Sequence, residues 1–104
     1  MSITSIRVRT RRSGETTFVE LNISHPMESG HRRDSLNQTI PSWYLTEMTV
    51  FHNDARITSV KLGPLVSRNP AVTLALKNAR ADDLLKITWL DSRGETGEQL
   101  ARVS

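Results

Sequence analysis

The feature that most constrains this chain is alternation. Ile6, Val8 and Thr10 are interleaved with Arg7, Arg9 and Arg11, and Val19, Leu21 and Ile23 occupy every second position. The same spacing returns at Val72, Leu74 and Leu76 and at Leu85, Ile87 and Trp89. Successive side chains of an extended strand point to opposite faces, so a period of two gathers one apolar row onto one side of a sheet. Strands are predicted over 3–10, 16–24, 43–52, 56–62, 72–76 and 98–103, with another around Leu85–Trp89. Ser13-Gly14, Asn53-Asp54, Gly63-Pro64, Asn69-Pro70, Arg80–Asp83 and Ser92-Arg93-Gly94 supply the turns. Parity breaks in 43–52: Trp43, Leu45 and Phe51 fall on one side, Tyr44, Met48 and Val50 on the other. Either both faces are covered or a bulge near Thr46–Glu47 switches them. The best helical stretch, 77–86, places Ala79, Ala81, Leu84 and Leu85 poorly for a 3.6 repeat. About seven short strands in 104 residues predict one all-β domain spanning 1–104, an immunoglobulin-like antiparallel β-sandwich.

With 37% hydrophobic and 24% charged residues, the chain is too apolar for disorder and too polar for a membrane-spanning helix. It has no cysteine. Disulfides, thiolate metal sites and a thiol nucleophile of its own are therefore excluded, and either Trp43 or Trp89 has to fill the place of the inter-sheet disulfide of antibody domains. The first residues show no apolar signal segment, which leaves a cytoplasmic protein or one exported with a partner. The net charge of +3 is concentrated early: Arg7, Arg9, Arg11, Arg12, Arg32 and Arg33 face only Glu15, Glu20 and Glu28. A basic row of this kind suits an acidic protein or a nucleic-acid backbone, or else it guards a strand edge.

Catalytic patterns are weak. His25, His31 and His52 lie near Glu28 and Asp34 but lack the short fixed spacing of a metal set. Ser24, His25 and Asp34 can be drawn as a triad, yet serines are frequent and no G-x-S-x-G turn exists. The five glycines are scattered, so no phosphate loop is present. The long stretch 25–41 has no period and ends at Trp43-Tyr44; irregular segments of that length are usually functional.

Four blocks in order, Ile23–Asp34, Ile40-Pro41, Gly63–Pro70 and Ile87–Gly94, resemble the SoxZ family over residues 5–104. Within them stand His25-Pro26-Met27-Glu28-Ser29-Gly30-His31-Arg32-Arg33-Asp34 and Ser67-Arg68-Asn69-Pro70. Asp54 stands where many members have Gly, and His31 where many have Gln or Leu. The resemblance implies a non-catalytic subunit without cofactor, paired with SoxY, a second sandwich whose Gly-Gly-Cys-Gly-Gly tail carries the sulfur substrate for the Sox enzymes. It also implies a periplasmic location reached by export with SoxY. The expected contact residues, toward SoxY or the enzymes, are His25, Met27, Arg32, Arg33, Trp43, Tyr44, Ser67 and Asn69. Charged residues at Trp43 and Tyr44 are expected to abolish co-purification with SoxY, and the isolated chain is expected to self-associate through the same surface. The Arg7–Arg11 row is expected to steer acidic redox partners. The rival readings are a basic module binding nucleic acid or an acidic protein, and a small hydrolase with a pocket holding a perturbed titratable pair.

Overall fold

A computed structural model describes residues 4–104; Ile3, which opens the predicted 3–10 strand, lies outside the described residues. Seven strands follow in order: β1 (Ser5–Ser13), β2 (Thr16–Ser24), β3 (Leu45–His52), β4 (Ala55–Lys61), β5 (Ala71–Lys77), β6 (Leu84–Asp91) and β7 (Thr96–Arg102). They form two antiparallel sheets, β1-β2-β5 and β4-β3-β6-β7. The all-β sandwich expected from the alternation is the architecture found. Constant-type immunoglobulin domains place the fourth strand in the first sheet. Here β4 pairs with β3 instead, so β5 has β2 on one side and, among the described residues, no strand on the other.

The apolar rows meet between the sheets. Ile6, Val19, Leu21, Ile23 and Leu76 of one sheet face Leu45, Met48, Val50, Leu85, Ile87 and Trp89 of the other, all buried. Each such side chain contributes roughly 1.5–3 kcal/mol by leaving water. On the outer face of the first sheet, Arg7, Arg9 and Arg11 stand opposite Asn22, Glu20 and Phe18, and the Arg11 guanidinium lies 4.8 Å from the Phe18 ring centre.

Of the two causes offered for the broken parity of the third strand, the bulge is the one found. The β3–β6 register shifts between Leu45 and Glu47, so Thr46 is the extra residue, and its hydroxyl donates to the Leu90 carbonyl at 3.0 Å. That one residue brings Leu45 onto the face of Met48 and Val50. Trp89 is the tryptophan that enters the core, its ring lying over Gly97 on β7. A Cβ built on Gly97 would sit 2.3 Å from the ring. The stretch 77–86 holds no helix: β5 ends at Lys77 and β6 begins at Leu84, with Asn78 and Asp82 left-handed between them.

Antiparallel connectivity sends three loops, 25–44, 62–70 and 92–95, to one end of the sandwich. The hairpin turn at Asn53-Asp54 lies at the other end. Both its residues have positive φ, 49° and 70°, the geometry of a type I′ turn. There His52 Nε2 and Asp83 Oδ2 are 2.8 Å apart. The backbone N–H of Arg80, then the His52 and Asn53 side chains, hold the Asp83 carboxyl down to about 2.

Candidate functional site

The three-loop end is organised around residues that reach it from strand ends. His25 precedes a proline, which favours an extended backbone, and directly continues β2. Its N–H donates to Asn69 Oδ1 at 3.2 Å, tying the first loop to the second. Asn69 is left-handed (φ 52°), a conformation asparagine tolerates. Met27 is left-handed too, at φ 49°, which for such a side chain costs on the order of 1–3 kcal/mol. Two bonds fix it there: its N–H donates to His25 Nδ1 at 3.0 Å, and its sulfur accepts the Leu45 N–H at 3.4 Å.

The loop then runs out and back as two arms. Glu28 and Trp43 exchange backbone bonds of 2.7 and 2.9 Å, and Arg33 bridges to Thr39. At the tip, Asp34 Oδ1 accepts the N–H groups of Leu36 and Gln38 at 2.9 and 3.0 Å. Gly30 has φ 88°, and a Cβ there would lie 3.3 Å from that of Ser42. The arms approach each other closely because this position is glycine.

Asp91, 4% exposed at the end of β6, holds the third loop to the first. Its Oδ2 accepts the Trp43 indole N–H at 3.0 Å, and its Oδ1 accepts the N–H groups of Arg93 and Glu95, both at 2.9 Å. Burial works against the Asp91 charge. The bonds from Trp43, Glu95 and Arg93 outweigh it and keep the carboxyl below its usual value. The Arg93 guanidinium lies 4.0 Å from the Trp43 ring centre. His25 meets the same ring edge-on at 5.3 Å. Ser92 completes the tie: its N–H donates to the Tyr44 carbonyl at 2.8 Å, and its hydroxyl accepts the Tyr44 N–H at 3.1 Å.

This geometry sorts the expected contact residues into three groups. His25 and Met27, 2% and 6% exposed, look inward and build the end without touching its surface. Because Nδ1 of His25 accepts a backbone N–H, the neutral ring carries its proton on Nε2, which is buried without a hydrogen-bond partner. Burial lowers the affinity of this ring for a second proton, and Arg93 works in the same direction against the carboxylates of Asp91 and Glu95. Trp43 and Tyr44 are half-buried and work as struts. Arg32, Arg33, Ser67 and Asn69 are exposed. Arg32 is engaged by Glu28, with Nε 3.1 Å from Oε2, and this bond holds the Glu28 carboxyl low. The Arg33 guanidinium donates to the Asn37 carbonyl at 2.9 Å. Sequence reasoning missed two exposed apolar side chains at this end, Leu36 (75% exposed) and Leu65 (88% exposed). It also missed Asp91 and Arg93, the residues that fix Trp43.

None of the drawn catalytic sets assembles. Asp34 is committed to its own turn and Nδ1 of His25 to Met27, while His52 lies at the opposite end. Among the described residues no three of His, Asp and Glu converge as metal ligands. A groove of about 510 Å³ lies on the outer face of the four-stranded sheet between Glu47 and Glu98. Ser59 and Lys61 keep Glu47 ionised there, the opposite of what a general acid requires.

A search of curated proteins gives no match. The pattern of the family described as sulphur oxidation protein SoxZ matches residues 6–102, from the inward-facing Ile6 of β1 to the last residue of β7, with all three loops of the tied end inside it. The chain belongs to the SoxZ family and so to the Sox system of sulfur oxidation.

Proposed function

We propose that this chain is the non-catalytic scaffold of a SoxYZ sulfur carrier, binding SoxY through the three-loop end and helping to present the SoxY cysteine to the Sox enzymes. The single observation that carries this reading is chemical. Covalent transport of sulfur needs a thiolate, and this chain, matched to the SoxZ family over residues 6–102, has no cysteine in its 104 residues. The sulfur-bearing atom is then the partner's, and this subunit contributes shape. The tied loop end supports the assignment. It is held in one arrangement by the Asp91, His25 and Asn69 bonds, so little ordering remains to be done on binding, and it exposes Leu36 and Leu65 as apolar contacts. An interface between two sandwiches buries more than ~1,200 Å² around an apolar centre, with Arg33, Ser67 and Asn69 on its polar rim. Export in company with SoxY places the pair in the periplasm.

The test is co-purification with SoxY. Trp43 is a poor first choice because its substitution breaks the bond to Asp91. Leu36→Glu and Leu65→Glu change only exposed side chains and are expected to weaken the complex at least tenfold with an unchanged melting temperature. Full binding by the double variant would move the SoxY surface away from the loops.

A further inference from the structure

A sheet edge is an unsatisfied row of backbone donors and acceptors, and proteins guard such edges with charge, proline or a bulge. Among the described residues the two sheets have four edges, and three are guarded. β1 carries Arg7, Arg9, Arg11 and Arg12, and its Thr10 hydroxyl accepts the Ser104 N–H at 2.9 Å. β4 carries Arg56 and Lys61 and lies across a register shift between Val50 and Phe51. β7 carries Glu98 and Arg102. The fourth, β5, reads Ala-Val-Thr-Leu-Ala-Leu-Lys: no charge before Lys77, no proline inside the strand and no register shift against β2.

The ladder shows which β5 groups are open. The Ile23 N–H donates to the Pro70 carbonyl at 3.0 Å, on the same register as Leu21↔Val72 and Val19↔Leu74. Hydrogen-bonded pairs alternate in an antiparallel ladder, so Val72, Leu74 and Leu76 direct their amides and carbonyls to β2. Ala71, Thr73 and Ala75 direct theirs away from the sheet. All three are exposed, and their side chains are short.

We infer that β5 pairs with β5 of a second copy of this chain, antiparallel and centred on Thr73. This register sets Ala71 against Ala75 of the second copy and Thr73 against Thr73, giving about six backbone hydrogen bonds. Val72 then faces Leu74 on the inner side, so the half-buried apolar rows of both copies continue across the seam, and the threonine pair is a favourable cross-strand match. The two Lys77 side chains fall at opposite ends, roughly 26 Å apart at ~3.3 Å per residue, beyond the ~8–10 Å screening length. The Arg7–Arg11 rows lie at the outer edges of the resulting six-stranded sheet. A net charge of +3 per copy therefore does not oppose the pairing. This self-complementarity favours a second copy over a foreign strand, and it places self-association on β5 and not on the loop end. The inference is independent of the SoxY reading.

One strand pair buries well under ~1,200 Å², the range of weak, transient contacts, and the test below is set for a dissociation constant on the order of 10⁻⁴ M, about −5.5 kcal/mol. Amide hydrogen exchange of the full chain tests it. Between 10 μM and 1 mM protein, exchange at Ala71, Thr73 and Ala75 is expected to slow about fourfold by mass action, with the β2 and β6 amides unchanged. Thr73→Pro removes an outward donor, and Thr73→Lys, beside Glu20 in its own sheet, sets two like charges directly opposite each other across the seam. Both are expected to abolish the concentration dependence; should the proline variant fold poorly, the lysine variant gives the result alone. Concentration-independent exchange, a dimer that survives Thr73→Lys, or protection of these amides only when SoxY is added would each overturn the inference.

Discussion

Replacing Asp91 by asparagine tests the tie that holds the loop end. The side chain keeps its shape and keeps an oxygen for the N–H groups of Arg93 and Glu95, but the amide presents N–H where Oδ2 accepted the Trp43 indole. Losing charge assistance from the two backbone bonds costs about 0.5–1 kcal/mol each, and leaving the indole donor unmet costs about 1–3 kcal/mol. A neutral amide escapes the desolvation of a buried carboxylate, which offsets part of the loss. A net destabilisation of about 1–3 kcal/mol follows, or a fall of roughly 4–20 °C in melting temperature for a domain of this size. The assay is denaturant unfolding of wild type, Asp91→Asn, Trp43→Phe and the double variant. Phenylalanine has no N–H to orphan, so in its background the cost of Asp91→Asn should shrink by at least 1 kcal/mol. Equal costs in both backgrounds would show that the Trp43–Asp91 bond does not hold the loops, and the reasoning would fail.

Three further outcomes follow from the geometry. Gly97→Ala drives a methyl group to 2.3 Å from the Trp89 ring and should destabilise by about 1–3 kcal/mol, seen as an altered near-UV tryptophan signal; an unchanged spectrum and midpoint would contradict the packing. Asp54→Gly relieves a left-handed aspartate at φ 70° and should raise stability by about 0.5–1 kcal/mol, with a lower or equal midpoint as the refuting result. Titration acts in two windows. The buried neutral His25 binds its proton less readily than in the unfolded chain, so stability falls as pH drops below about 6.5. Asp83, held at about 2 against an ordinary 3.8, adds a loss as pH falls through roughly 4 to 2. His25→Gln should flatten the first window alone, and an unchanged slope there would refute the assignment.

The strands were legible because burial on one face writes itself as a period of two. Even the Thr46 bulge left a trace, since Leu45 and Met48 sit on opposite parities yet share one face. The loop end was legible only as a region. A segment without a period gives no rule for which residues turn inward, so His25 and Met27 read as contacts although both are buried. Asp91 had a signal that went unused: an aspartate directly before a Ser-Arg-Gly turn commonly accepts the N–H groups two and four residues on. Leu36 and Leu65 were likewise visible as isolated apolar residues in polar loops. The free edge of β5 was not legible, because it depends on which sheet β4 joins, a matter of topology that local pattern does not encode.

Where the sulfur is bonded separates a scaffold from a carrier. Intact-mass measurement of both subunits, after the purified pair has been loaded by the thiosulfate-oxidising enzymes, decides it. Added sulfur mass on the partner alone, with this chain at its unmodified 11.7 kDa, is the predicted result. A covalent sulfur adduct on these 104 residues, with or without the partner present, would contradict it.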